Sequence, residues 1–157
     1  MSKLPRKGSI RGVVAKRDRG ERSTAARFSK LIHSDDRALV ELTKRGIGAD
    51  VVVHLAEKLL VSPANFVGYI GMSRATLDRK QRNQSVLGLV ESDRLVRYTQ
   101  LWKQAVHLWG SEDAARQWLT APEAALGGVS PVEHAATEIG ARQVEDLMGQ
   151  IAYGIAT

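Results

Sequence analysis

The chain contains no cysteine. That absence excludes a disulfide scaffold, a thiolate nucleophile and cysteine-ligated zinc, and it suits a reducing interior. Long apolar runs are missing as well. Nothing approaches the roughly 20 consecutive apolar residues of a membrane span, and no apolar block follows the basic N-terminus as it would in a secretory signal. Catalytic signatures are equally scarce. His33, His54, His107 and His134 lie far apart, with neither H-E-x-x-H nor H-x-E spacing, and no glycine-rich phosphate loop follows a strand pattern. The carboxylate pairs Asp35-Asp36, Glu112-Asp113 and Glu145-Asp146 fall in helix first turns or on solvated helix faces. The reading is a soluble cytoplasmic protein that is no enzyme, needs no metal or cofactor and has no membrane partner.

What the chain does have is charge, unevenly placed. Its net charge is +6 over 157 residues. Residues 1–30 carry ten Lys or Arg against Asp18 and Glu21, a balance of +8, which leaves −2 for the remainder. Residues 111–157 hold Arg116 and Arg142 against seven acids, a balance of −5. A basic arm attracts polyanions through counterion release, whereas an acidic module suits a cationic protein surface. The division expected is a basic, largely flexible arm over 1–33, a helical bundle over 34–110 and a small helical module over 111–157. A solvated tail without a partner is the plainer reading of the arm.

Apolar periodicity predicts an all-α fold with no strand. Ser34 is placed to cap a helix whose first turn carries Asp35 and Asp36 and whose inner side is Leu39 and Leu42. Asp50 opens a second helix with Val51, Leu55 and Leu59 inward. Next, Ser62 caps and Pro63 starts a short helix, Gly71 suits a sharp turn, and Ser73 caps another helix. Short helix, tight turn and capped helix is helix-turn-helix grammar, with Phe66, Ile70, Met72 and Leu77 packing the pair. Position five of such motifs favours Ala, and Val67 stands there instead. The second helix presents Ser73, Arg74, Thr76, Arg79, Lys80 and Arg82 as candidate DNA contacts, since Arg reads guanine edges and Thr or Lys holds phosphate. The alternative is an ordinary solvated basic face.

A long helix follows from Glu91 to Trp109, stopped by Gly110. Leu95, Tyr98, Trp102, Ala105 and Trp109 repeat near heptad spacing, as a core stripe or a self-association seam. After Ser111 come several short helices: an apolar face of Ala115, Trp118 and Leu119, a turn at Gly127-Gly128, a start at Ser130-Pro131, a break over Thr137 to Gly140, and a final ladder of Val144, Leu147 and Ile151. Helices this short are marginal alone, so they need each other or a partner.

The order Glu91-Ser92-Asp93-Arg94-Leu95, Ala105, Gly110, Ala114, Trp118-Leu119, Pro122, Leu126-Gly127-Gly128, Ser130-Pro131, Gly140, Val144, Leu147 and Gly154 resembles the Xre/ParS-type antitoxins of RES-Xre toxin-antitoxin systems. The resemblance runs from about Ala38 to the C-terminus and leaves the basic arm outside. It implies an Xre-like helix-turn-helix domain that dimerises and binds the promoter of its own operon, and a C-terminal domain that binds a cognate RES-domain toxin. Such toxins degrade NAD or transfer ADP-ribose. The antitoxin performs no chemistry and covers the toxin's active site, within the bacterial cytoplasm. Carried onto this chain, the toxin-binding pattern falls on Trp118, Leu119, Leu126, Gly127, Gly128, Ser130, Pro131, Gly140, Val144 and Leu147, to which the terminal Gln150, Ile151, Tyr153 and Gly154 are added. Direct contact is expected above all at Gly127, Gly128, Ser130 and residues 150–157, because Trp118, Leu126, Val144 and Leu147 also suit the module's own core. The competing readings are a stand-alone helix-turn-helix transcription regulator whose tail only dimerises, and an antitoxin whose helix-turn-helix merely shapes the dimer.

Overall fold

The structure is a computed structural model and describes residues 10–154. Nine α-helices follow one another among those residues: α1 (Ile10–His33), α2 (Asp36–Arg45), α3 (Asp50–Leu59), α4 (Pro63–Ile70), α5 (Arg74–Arg82), α6 (Leu89–Trp109), α7 (Glu112–Thr120), α8 (Pro131–His134) and α9 (Glu138–Ala152). A single 3-10 turn, Ala124–Leu126, links α7 to α8. The described residues form no strand. Two isolated bridges, Gly48 with Val86 and Glu123 with Val129, pin connecting loops.

The architecture is organised around α6. Leu95, Tyr98, Leu101, Trp102 and Ala105 are buried along it, and it touches α1, α2, α4, α7 and α9. The aromatic stripe is therefore core, except that Trp109 at its end is 37% exposed. The helix starts at Leu89, two residues before Glu91, because Gly88 adopts the extended backbone of a cap. Its buried serine and threonine hydroxyls are satisfied: Ser92 Oγ accepts from Ile47 N at 3.1 Å, and Thr99 Oγ1 donates to the Leu95 carbonyl at 2.9 Å. Two side chains of α6 also close the ends of other helices. Arg94 Nη1 donates to the Ile70 carbonyl at 3.0 Å, and Gln100 Nε2 donates to the Leu31 carbonyl at 3.3 Å. Helix ends leave orphan carbonyls, so these bonds hold α4 and α1 where the bundle needs them.

The arm departs from expectation. Within residues 10–33 it is a 24-residue helix, not a locally ordered tail; Met1 to Ser9 lie outside the described residues. Phe28 and Leu31 are the reason. Spaced i, i+3 and 5% and 2% exposed, they pack into the main core, at about 1.5–3 kcal/mol each for full burial. Arg27 Nη1 and Thr24 Oγ1 both donate to Asp50 Oδ2, at 2.5 and 2.6 Å, fastening the helix to the start of α3. Once the C-terminal turns are docked, propagation toward the N-terminus is cheap.

Two local expectations are also corrected. Ser34 does not cap α2: its hydroxyl donates to the Lys30 carbonyl at 2.6 Å and closes α1, while Asp35 caps α2 by accepting from Ala38 N at 2.8 Å. Gly140 is no break. Thr137 caps α9, and Gly140 N donates to Thr137 Oγ1 at 3.0 Å from within the helix. The last helix is accordingly 15 residues long. No single described helix is long and apolar enough to cross a membrane; α3 and α4 reach that composition only as a pair bent by 115°, and Val51, Val52, Leu55 and Phe66 within them are core.

Candidate functional site

The α4-turn-α5 unit is built as its sequence grammar demands. Ser62 Oγ accepts from Asn65 N at 3.2 Å with Pro63 in the first helical position, and Gly71 ends α4 at φ +80°. A side chain at Gly71 would be strained by that backbone angle and would have to displace the Arg94 guanidinium packed against the turn. Leu77, Phe66, Ile70 and Val67 are all buried, so the larger residue at Val67 sits within the core.

The six candidate DNA contacts do not form one free face. Ser73 Oγ accepts from Thr76 N at 3.1 Å and donates to Thr76 Oγ1 at 2.9 Å, so both hydroxyls are engaged in the cap. Arg74 Nε donates to Asp78 Oδ1 at 2.9 Å, partly neutralising its charge. Lys80 corrects the outward reading of the sequence. It lies on the flank shared with Leu77, half-buried, and its ammonium donates to the Val86 carbonyl at 2.9 Å. Arg79 and Arg82 are exposed and, with Ala75, make up the open face of α5. Sequence reasoning passed over Asp78, although its i, i+4 spacing from Arg74 is the signal of such a pair.

The C-terminal module sorts its candidate residues by burial. Leu119, Leu126, Pro131, Gly140, Val144 and Leu147 are buried, and with Ala115, Val132 and Met148 they form its floor. Tyr98 OH donates to the Val132 carbonyl at 3.0 Å, tying that floor to α6. Burial, reinforced by Tyr69, pushes the Tyr98 phenol well above its usual range, so it stays a neutral donor. Trp118 is half-buried against Trp109, ring centroids 5.9 Å apart, and its Nε1 donates to Glu123 Oε2 at 3.3 Å. Ser130 Oγ accepts from Glu133 N at 3.4 Å and caps α8. Ile151 is half-buried.

Gly127, Gly128, Gln150, Tyr153 and Gly154 remain exposed; Ile155 to Thr157 lie outside the described residues. The structure adds a feature that sequence reading missed. Ile139, Gln143, Asp146 and Gln150 along α9 and Tyr153 at its C-cap recur at i, i+4, i+7, i+11 and i+14, and all are exposed. Its ends are apolar, Ile139 at 72% and Tyr153 at 84% exposure. Gln143, Asp146 and Gln150 also line a groove of about 360 Å³ with Ala125, Leu126, His134 and Leu147. The signal was present: the polar side of a heptad with a large apolar residue at each end.

These elements define a helix-turn-helix bundle whose central helix runs on into a second small helical module. Residues 38–99 match the antitoxin Xre-like helix-turn-helix domain, and residues 104–154 match the antitoxin Xre/MbcA/ParS C-terminal toxin-binding domain. The chain is similar to the antitoxin Xre of Pseudomonas putida, with 31% identity over 143 residues and 88% of each chain covered. It is also similar to the antitoxin Xre of Yersinia enterocolitica, 29% identical over 118 residues covering 74% of this chain and 80% of the relative, and to that of Photorhabdus laumondii, 40% identical over 68 residues covering 43% and 46%. The chain belongs to the Xre family of antitoxins, the neutralising partners in type II toxin-antitoxin systems.

Proposed function

We propose that this antitoxin neutralises a cognate RES-domain toxin, one that consumes NAD or transfers ADP-ribose, by laying its C-terminal module over the toxin's active site. The observation that carries this reading is the exposed stripe of α9. It is roughly 21 Å long at ~1.5 Å per residue, and is bounded by the exposed apolar side chains of Ile139 and Tyr153. An exposed Tyr and Ile at the two ends of a grooved stripe suit the anchors of a protein interface, and Gly127-Gly128, which follow the groove-lining Leu126 in the chain, let a partner approach the backbone. The −5 balance of residues 111–157 supports a cationic partner, as a cleft that holds dinucleotide phosphates must be. The antitoxin contributes no catalytic group and no cofactor. It acts in the bacterial cytoplasm, with residues 34–110 serving DNA binding and dimerisation and residues 111–157 serving the toxin.

The same reading makes the protein a homodimeric repressor of its own promoter, with α5 in the major groove and Arg79 and Arg82 as its principal readers. Arg74, paired with Asp78, supports the same face. For the toxin, the test is co-expression of the full chain with the RES-type protein encoded beside it, comparing wild type with the surface variant Ile139→Lys/Tyr153→Asp. The expected result is loss of copurification and of growth rescue at an unchanged melting temperature. A double variant that still copurifies and rescues growth sinks the assignment of this face.

A further inference from the structure

We infer that α1 and the end of α5 together form a groove that holds the phosphate backbone of duplex DNA beside the bases met by α5, an inference that rests on the DNA-binding role proposed above. A cleft of about 700 Å³ opens between these two helices, floored by Leu31, Leu42, Ile47 and Ala49. Five cations line it: Lys16, Arg19, Arg27 and Lys30 from α1, and Lys80 from α5. Among the described lining residues only Asp50 is acidic, and its carboxylate is already engaged by Arg27 and Thr24. The groove thus presents a surplus of positive charge.

The arrangement along α1 is regular. Lys16, Ser23 and Lys30 stand at strict heptad intervals with Arg19 and Arg27 between them, so the basic residues share one face. From Lys16 to Lys30 that face spans roughly 21 Å at ~1.5 Å per residue. One DNA strand advances about 3.4 Å along the axis per phosphate, so the row is long enough to follow several consecutive phosphates. Neutral donors sit opposite. Gln81 and Gln84 line the groove from the end of α5, and Gln84 holds φ +50°, a left-handed conformation that non-glycine residues seldom adopt. That backbone turns the chain at the rim and leaves the Gln84 side chain exposed.

Location selects the partner. One wall of the groove is the candidate recognition helix itself, and no residue of α7, α8 or α9 lines it. A phosphate backbone flanking the α5 contact meets this surface, whereas a protein docked on the C-terminal module does not. Contacts of this kind position a protein on a duplex and strengthen binding without reading sequence.

The test is a salt titration of DNA binding by fluorescence anisotropy with the full chain. The probes are a duplex from immediately upstream of its own coding region and a shuffled duplex of equal length. The variant Lys16→Gln/Arg19→Gln/Lys30→Gln leaves Phe28, Leu31 and the Arg27-Asp50 clasp in place, and circular dichroism reports whether α1 keeps its helicity. The expected result is weaker binding to both duplexes by a similar factor, of at least about tenfold, with the log-log salt slope shallower by roughly one per residue removed and the preference for the upstream duplex unchanged. Lys30→Gln alone, in the docked half of α1, lowers the slope by about one. The companion variant Arg79→Ala/Arg82→Ala instead abolishes the preference. An unchanged affinity and slope in the α1 variant, with preference still lost in the α5 variant, overturns the groove and leaves the DNA-binding role intact. No duplex binding by the wild-type protein overturns both, and an α1 variant that binds DNA normally but loses its toxin overturns the choice of partner.

Discussion

At Gly140 the first turn of α9 passes so close to the His134 carbonyl that an added Cβ would overlap it. That approach is by itself a sufficient reason for a glycine at this position. Gly140→Ala is expected to destabilise the protein by about 1–3 kcal/mol, as overpacking does, read as a lower urea midpoint at unchanged slope. Trp118 makes a related point. It is the most conspicuous residue of the module, yet its ring packs on Trp109 and its Nε1 is committed to Glu123. Lys80 shows the limit of periodicity on a short helix. Spacing places it among the cations of α5, but only the folded loop supplies the Val86 carbonyl that draws its ammonium inward.

At the scale of the element, α1 is the largest difference from what the sequence suggested. Its charge density argues for a solvated tail, and Phe28 and Leu31 are too few to announce a docked helix. Docking makes this contact sensitive to pH. His54 lies 4.9 Å from Phe28, ring to ring, and burial lowers its pKa below the ordinary 6.5, with Lys58 adding to the effect and Glu57, Glu112 and Asp50 opposing it. A histidine lowered in the folded state favours folding fully above its unfolded value, and that contribution is lost as the pH falls through about 6.5 toward the folded value. Glu145 acts in the opposite sense. Burial and then Asp146 raise its pKa, so folding gains from it as the pH falls toward 4.5. His54→Gln isolates the first group. The wild-type melting temperature is expected to drop more than the variant's between pH 7 and pH 5.5, and parallel curves would discard the assignment. The exposed stripe of α9 belongs to this scale too, since no one residue in it is informative and the heptad is.

Across the whole molecule, α6 joins what the family domains divide. The helix-turn-helix match ends at residue 99 and the toxin-binding match begins at 104, both within α6. Lys58 Nζ donates to both Glu112 oxygens, at 2.8 and 3.1 Å, and Arg116 Nε donates to the Lys58 carbonyl at 2.5 Å, so α3 is bonded directly to α7. One core and these cross-links predict a single cooperative urea transition, with tryptophan fluorescence and far-UV circular dichroism superimposing. Two separated transitions would show that the module folds independently of the bundle.

The sequence by itself determined the helical class, the caps at Ser62, Ser73 and Ser130, the turn at Gly71 and the burial of the α6 stripe. These depend on neighbours within a few residues, where capping chemistry and the 3.6-residue period act directly. Tertiary structure alone decided that α1 docks, that Lys80 turns inward, that Gly140 sits in a close approach, and that a basic cleft lies between α1 and α5. Each of these needs a group that the helix's own period does not supply: Asp50 for Arg27, the Val86 carbonyl beyond the end of α5 for Lys80, the His134 carbonyl before α9 for Gly140, the end of α5 for the face of α1. Local pattern carries no information about such encounters, because packing brings those groups together and sequence spacing does not.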